Sequence, residues 1–361
     1  MRLERLTVRG FRNLAELDRD VPAGGLAVLG RNGQGKTNLL EAIYYPVLFR
    51  SMRGAADAEV GTFGGPGFHV TAHVSADASE GDRRMGATYQ AAGRRKRITL
   101  DGADLPRLAD ALGHWIAVAF LPADVALASG GAAARRQYLD RMLALADRGY
   151  LVALTRFRAA LAQRNSALRQ NRLEVAQAFD APLARAGATV VSTRLAWIAR
   201  AAQQFSAELA DLGETAAATL RYRGATELAD VAAWPPALAA ALARDRVRGL
   251  STVGPHRDDI VLEVGGRELR TFGSTGQQRS AAIALKLVEL ETLGRARGTE
   301  PALLLDDVFA ELDGERQRRL AERLVRPDLR QVFITAPRPD EMPHTMGLPV
   351  WTVSGGQVET Q

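Results

Sequence analysis

The run Val28-Leu29-Gly30-Arg31-Asn32-Gly33-Gln34-Gly35-Lys36-Thr37-Asn38 reads G-x-x-x-x-G-K-T. Gly30, Gly33 and Gly35 let the backbone turn its N–H groups inward, as a nest for phosphate oxygens. Lys36 can reach the β- and γ-phosphates of a nucleotide, and the Thr37 hydroxyl can ligate Mg²⁺. A second cluster follows far along the chain. Leu303-Leu304-Leu305-Asp306-Asp307 is an apolar run ending in two carboxylates. Such a strand delivers its acids to the sheet edge, where Asp306 can hold Mg²⁺ and Asp307 can act as general base or position a water. Read as a helix cap or turn pair, the acids would have no other polar partner. A third cluster, Ser274-Thr275-Gly276-Gln277-Gln278, precedes a helical pattern, and a helix N-terminus attracts anions.

These groups need elements to hold them. Leu26-Ala27-Val28-Leu29 suits a buried strand, and Asn38 to Tyr44 has helical apolar spacing, so the glycine loop opens a helix. Leu3 to Val8 alternates and predicts a strand exposed on one side. Residues 68–100 predict antiparallel strands with a turn at Asp101-Gly102. Arg94-Arg95-Lys96-Arg97 forms a cationic patch at the tip of that sheet, and a hairpin edge charged against aggregation reads the same way. Trp115 to Leu121 is an apolar strand ended by Pro122. From Ala133 to about Arg248 the composition turns Ala/Leu/Arg-rich with helical spacing. It predicts several helices broken near Gly149, Asp180-Ala181-Pro182, Gly213, Gly224 and Trp234-Pro235-Pro236, without a sustained heptad repeat. Strand, helix, strand, helix and strand return at Ile260–Val264, Gln277–Leu293, Pro301–Leu305, Gly314–Val325 and Gln331–Thr335, followed by a hairpin over Val350–Val358.

A length of 361 residues predicts two domains or one with a large insertion. No apolar run spans a bilayer, and Met1-Arg2-Leu3-Glu4-Arg5 lacks a signal core. The absence of cysteine excludes disulfides, thiolate metal sites and a cysteine nucleophile, and it fits a cytoplasmic protein with no membrane partner. The charge of +6, from 47 Lys+Arg against 41 Asp+Glu, is arginine-rich with very few lysines. It favours polyanion partners, although a GC-rich coding bias produces the same balance.

The Ser-x-Gly-Gln stretch, a helix and then the acid-ended strand together resemble the ABC-type ATPase heads, whose signature is Leu-Ser-Gly-Gly-Gln. The resemblance implies that Ser274, Gly276 and Gln277 bind the γ-phosphate of nucleotide held by the opposite subunit. It implies a head-to-tail homodimer sandwiching two ATPs, with Glu311-Leu312-Asp313 as the loop crossing the same interface. More residues resemble the RecF family. They are Phe11-Arg12-Asn13, Gly30 to Ala42, Arg50-Ser51-Met52-Arg53, Phe120-Leu121-Pro122-Ala123-Asp124, Arg135-Arg136-Gln137-Tyr138-Leu139-Asp140, Gly254-Pro255-His256-Arg257-Asp258-Asp259, Phe272 to Arg279 and Asp306 to Asp313.

That resemblance implies an α/β fold: an ABC-type, Rad50-like ATPase head with a P-loop core and an antiparallel β subdomain, plus an inserted α-helical lobe. The head is expected over 1–124 and 249–361, and the lobe over 125–248. Implied cofactors are ATP and Mg²⁺, with Arg12, Asn13, Gly30 to Asn38 and Asp313 at the nucleotide. Implied partners are double-stranded DNA and single–double-strand junctions, and RecR with RecO, in loading RecA during repair, replication and the SOS response at the nucleoid. Arg50, Arg53, Arg94, Arg95, Lys96 and Arg97 are candidate phosphate contacts. Asp307 stands where many such heads carry Glu, no histidine follows Thr335, and Phe120–Asp124 has no glutamine. Slow hydrolysis is therefore expected, with ATP acting as a clamp. His256 and Arg257 read as lobe-packing residues more readily than catalytic ones. Three rivals remain: an SMC-class head, which needs long heptads; a transporter nucleotide-binding subunit, which needs the missing glutamine and histidine; and a non-hydrolysing scaffold, which the acid pair opposes.

Overall fold

The computed structural model describes residues 1–75, 81–309, 314–324, 330–342 and 347–360. The chain opens with strands β1 (Arg2–Arg9), β2 (Leu17–Asp20) and β3 (Gly25–Leu29), then helices α1 (Lys36–Leu48) and α2 (Asp57–Val60). Strands β4 (Gly67–Ser75), β5 (Arg83–Gln90), β6 (Arg95–Leu100), β7 (Ala103–Asp104) and β8 (Ala117–Phe120) follow. Helices α3 (Ala126–Ser129), α4 (Ala132–Ala146), α5 (Arg148–Arg169), α6 (Leu173–Ala178) and α7 (Asp180–Asp211) lead to β9 (Ala218–Arg223) and α8 (Trp234–Arg248). Then come β10 (Asp259–Val264), β11 (Arg267–Glu268), α9 (Leu269–Phe272) and α10 (Thr275–Arg297). The chain closes with β12 (Ala302–Asp306), α11 (Gly314–Leu324), β13 (Val332–Ala336), β14 (Val350–Ser354) and β15 (Gln357–Thr360).

Two compact units result: residues 1–123 with 289–361, and residues 124–288. In the first, one six-stranded sheet has the order β2-β1-β4-β5-β6-β7 and is antiparallel throughout. Its strands alternate, as in β1, where Leu3, Leu6 and Val8 are buried and Arg2, Glu4 and Arg9 are exposed. The second sheet has the order β15-β14-β3-β13-β12-β8 and is parallel except for the terminal β14–β15 hairpin. Strands β8, β12 and β13 are buried at every position. That is why their sequences are unbroken apolar runs: a parallel sheet is covered on both faces. Helix α1 is buried along most of its length. The ring of Tyr45 meets Phe11 and Phe68 edge-on, at 5.8 and 5.2 Å, tying α1 to the antiparallel sheet.

The second unit is mainly helical, with breaks near the expected positions and one more at 170–172, between α5 and α6, where Asn171 takes φ 55°. Asp147 caps α5 by accepting from Gly149 N at 2.7 Å. Pro182 lies in the first turn of α7, where its missing N–H costs nothing. One expectation fails. Ala218–Arg223 lies in the stretch read as wholly helical, yet it is strand β9, paired antiparallel with β10. That pairing draws residues beyond 248 into the helical unit. The contact boundary therefore falls between Val288 and Glu289, inside α10, rather than at 248/249, where the composition changes.

Candidate functional site

Strand β3 lies between β13 and β14 and ends at the glycine loop. Gly30 has φ 157°, and a Cβ there would lie 2.3 Å from the Val353 carbonyl oxygen. Only glycine fits between this loop and β14. The Gln34 carbonyl accepts from Asn13 Nδ2 at 3.2 Å and from Gly356 N at 3.0 Å. Its Oε1 accepts from Gly355 N at 2.6 Å. The β14–β15 turn thus braces the loop from the far end of the sequence. Arg31, Asn32 and Gly33 remain exposed on its outer side. Lys36 is 4% exposed and folds over the loop, donating to Gly30 O at 2.8 Å and Asn32 Oδ1 at 3.3 Å. Its ammonium lies within the nest, where a phosphate would replace these acceptors.

Asp306 ends β12 in parallel register with Thr335 of β13. The Thr37 hydroxyl donates to both Asp306 oxygens, at 2.9 and 3.0 Å, and Thr335 Oγ1 donates to Oδ1 at 2.9 Å. Hydroxyl and carboxylate, distant in sequence, meet as the two hard oxygen donors of one site. Asp307 follows at φ 48°, a left-handed conformation costly for a non-glycine residue and met mainly at functional sites. Its N–H donates to Thr335 Oγ1 at 3.0 Å. Thr335 therefore orders both acids. Its only sequence signal is a hydroxyl at the end of the apolar run Val332-Phe333-Ile334.

Burial pushes the Asp306 carboxyl above its ordinary value. Hydrogen bonds from Thr335 and Thr37 work against this, and the Asp307 charge adds to it. A raised acid pKa means that the fold carries the charged form at a cost, and this cost grows as pH rises past the ordinary carboxylate range. Asp306→Asn is expected to raise the thermal midpoint of the nucleotide-free chain at neutral pH, with the gain shrinking as pH falls towards that range. The same change should remove the Mg²⁺-dependent part of any nucleotide stabilisation. Thermal melts across pH, with and without nucleotide and Mg²⁺, check both.

One turn into α1, Glu41 is fully buried and is the hub of an ion-pair cluster. It accepts from Arg12 Nε at 2.9 Å and Nη2 at 3.2 Å, from Arg53 Nε at 3.1 Å, and from Ser51 Oγ and Arg53 Nη2. Burial alone would raise this carboxyl, but the hydrogen bonds from Arg12, Arg53 and Ser51 hold it below its ordinary value. Arg53 also donates to Asn38 Oδ1 at 2.6 Å, and Asn38 Nδ2 donates to Asn13 Oδ1 at 2.7 Å. The chain Glu41–Arg53–Asn38–Asn13 thus reaches the loop carbonyl of Gln34. Arg12 is turned onto Glu41, while Asn13 touches the loop itself. Glu41 was legible only as a lone acid among apolar neighbours.

In the other unit, Ser274 and Gln277 form a reciprocal cap at the start of α10. Ser274 Oγ accepts from Gln277 N at 3.2 Å, and Gln277 Oε1 accepts from Ser274 N at 3.1 Å. Gly276 lies in the first turn. Asp313, with Glu311 and Leu312, lies outside the described residues. His256 donates from Nε2 to Ser251 O at 2.9 Å, and its ring lies 5.9 Å from that of Phe157, which favours packing over catalysis.

The candidate phosphate contacts divide. Arg53 is held by Glu41, and Arg97 pairs with Asp104. Lys96 donates to Asp57 at 3.0 and 3.1 Å and to Phe49 O, with its ammonium 5.0 Å from the Tyr45 ring centroid. Arg50, Arg94 and Arg95 are exposed and make no ion pair among the described residues.

Residues 2–347 match the family described as the RecF/RecN/SMC N terminal domain. The chain is 40% identical over 332 residues to the DNA replication and repair protein RecF of Anaeromyxobacter dehalogenans, covering 89% of this chain and 88% of that one. It is 36% identical over 342 residues to the RecF of Citrifermentans bemidjiense, covering 93% of each. A solved structure of the recombination mediator protein RecF with ATP, in the RecFOR pathway, superposes with a TM-score of 0.91 at 29% identity, over 99% of this chain and 97% of that one. An SMC head superposes at 0.58 with 16% identity, a likeness of fold alone. The α/β fold is that of the ABC-type ATPase head. With a family match along nearly its whole length and relatives this similar, the chain belongs to the RecF family of DNA replication and repair proteins.

Proposed function

We propose that the chain is an ATP-dependent DNA-binding recombination mediator that uses ATP as a slow clamp. The observation that carries this is the pair of hydrogen bonds from Thr37 to Asp306, which joins the glycine loop to an acid-ended strand beside the strained Asp307. Lys36 and the loop N–H groups hold the β- and γ-phosphates of ATP. Thr37 and Asp306 would hold Mg²⁺, which when bound supplies charge neutralisation at those phosphates. The donor set fits: Mg²⁺ takes one or two carboxylates plus phosphate oxygens rather than a dedicated cage. No group of three or more His, Cys, Asp or Glu suited to a metal occurs among the described residues. Asp307 orients and deprotonates the attacking water. Aspartate reaches one methylene less far than glutamate, which supports slow turnover.

In this reading, Ser274, Gly276 and Gln277 of one copy close on nucleotide held by a second copy, exchanging their mutual cap for phosphate contacts. Asp313 and its neighbours would cross that interface. The closed dimer binds double-stranded DNA and single–double-strand junctions through arginines such as Arg50, Arg94 and Arg95, with DNA-stimulated hydrolysis reopening it. It acts with RecR and RecO to load RecA, in the cytoplasm at the nucleoid. No helix among the described residues is long and apolar enough to cross a membrane. Solution mass, measured with and without Mg·ATP, tests the clamp. We expect the mass to double with Mg·ATP and to stay monomeric in Lys36→Met. A parent chain that binds ATP yet stays monomeric would refute closure by nucleotide alone.

A further inference from the structure

We propose that the groove between α5 and α7 is a docking site for an amphipathic helix from another protein, apolar along one face and acidic on both flanks. The inference rests on the helical unit alone and is independent of the nucleotide reading. The two helices run side by side over a groove of about 670 Å³. Ala153 and Ala160 of α5 line it with Ala186 of α7, Val152 stands 40% exposed at its edge, and Phe179 and Pro182 close one end. Small residues on both walls let a third helix approach closely. An apolar stripe on that helix would gain from leaving water.

Length and charge define the occupant. Lining residues run along α5 from Gly149 to Gln163, a span of about 21 Å at the helical rise. That matches a helix of roughly four turns. Arg156 from α5 and Arg185 from α7 are the charged residues of the lining, one on each wall. Both are exposed, and neither guanidinium makes a hydrogen bond or ion pair among the described residues. Elsewhere in the unit, Arg221 is paired with Glu263 and Arg223 with Glu268. Two unpaired cations bordering an apolar floor call for carboxylates on either side of an apolar stripe. A nucleic acid fits poorly: its closely spaced phosphates would meet few cations, and the floor would be covered without apolar gain.

The test uses the full chain and a fluorescent, helix-stapled peptide of about fourteen residues, the groove length at the helical rise. It carries leucines at i, i+3, i+7 and i+10 with flanking glutamates, and a control carries lysines in their place. We expect saturable binding of the glutamate peptide, weaker by about tenfold or more for the lysine peptide. The double variant Arg156→Glu/Arg185→Glu should reverse that preference. Ala159→Glu, an exposed change in the lining, should abolish binding of the glutamate peptide. Circular dichroism melts confirm that the variants fold, and their ATP-dependent mass should match the parent's. Equal binding of the two peptides, a preference that survives the double reversal, or no saturable binding by the parent would each overturn the proposal. So would self-association of the nucleotide-free parent that Ala159→Glu abolishes, because the groove would then hold a second copy.

Discussion

Asp307→Asn is expected to slow ATP turnover by about 10² to 10⁴ while leaving ATP affinity nearly unchanged, the range that loss of a general base produces. Asparagine keeps the size of the side chain, and the backbone N–H bond to Thr335 Oγ1 does not depend on the carboxylate. Asp306, which would hold the metal, retains its hydrogen bonds to Thr37 and Thr335. The change therefore removes the proton acceptor and little else. Its signature is a fall in kcat with KM unmoved. If hydrolysis reopens the clamp, the same variant should accumulate as dimer in Mg·ATP. Single-turnover hydrolysis and solution mass on one preparation check both. Unchanged turnover would remove Asp307 from the mechanism.

The second large effect concerns stability. Arg164 is fully buried in the helical unit and ties three helices together. It donates to Asp180 Oδ1 at 2.8 Å, to Asp245 Oδ2 at 2.7 Å and to Ser251 Oγ at 2.7 Å. Asp245 is also fully buried, and its other oxygen accepts from Thr252 N and Oγ1 at 2.9 and 2.6 Å. Arg164→Ala would strand that carboxylate without a counter-charge, and we expect a loss of about 3–5 kcal/mol. Asp245→Asn made on top of it should recover part of the loss, because an amide needs no counter-charge. Urea unfolding followed by circular dichroism measures the cycle. Strict additivity of the two changes would show that the pair is not coupled.

Local chemistry was legible because it is written in short spacings. The loop at Gly30–Thr37, the Asp306-Asp307 pair and the helix start at Ser274–Gln278 each lie within a few residues, and the strands before the first two are unbroken apolar runs. What escaped was non-local. Glu41 draws Arg12 from 29 residues upstream and Arg53 from 12 downstream, and no periodicity marks such a meeting. Lys96 looks like a free cation in sequence, whereas Asp57, the Phe49 carbonyl and the Tyr45 ring hold it. Strand β9 carries a legible alternation, with Ala218 and Leu220 buried between exposed Thr219 and Arg221. It is short, and the helix-forming residues around it mask it. The unit boundary has the same kind of cause, since the pairing of β9 with β10 and side-chain bonds such as Arg135 to Asp259 and Tyr138 to the Leu285 carbonyl tie later residues to the helices.

The placement of β3 also bears on how the chain is made. Its neighbours are β13 and β14, so the strand that presents the glycine loop has no parallel partner until residues 332–354 have been synthesised. The Gln34 brace waits longer still, for Gly355 and Gly356. On the ribosome, the helical unit can close on itself while β3 stays an unpaired apolar segment exposed to aggregation or to a chaperone. A chain broken off before the β14–β15 hairpin would be left with an unbraced glycine loop, so such fragments should be lost as protease-sensitive molecules rather than accumulate.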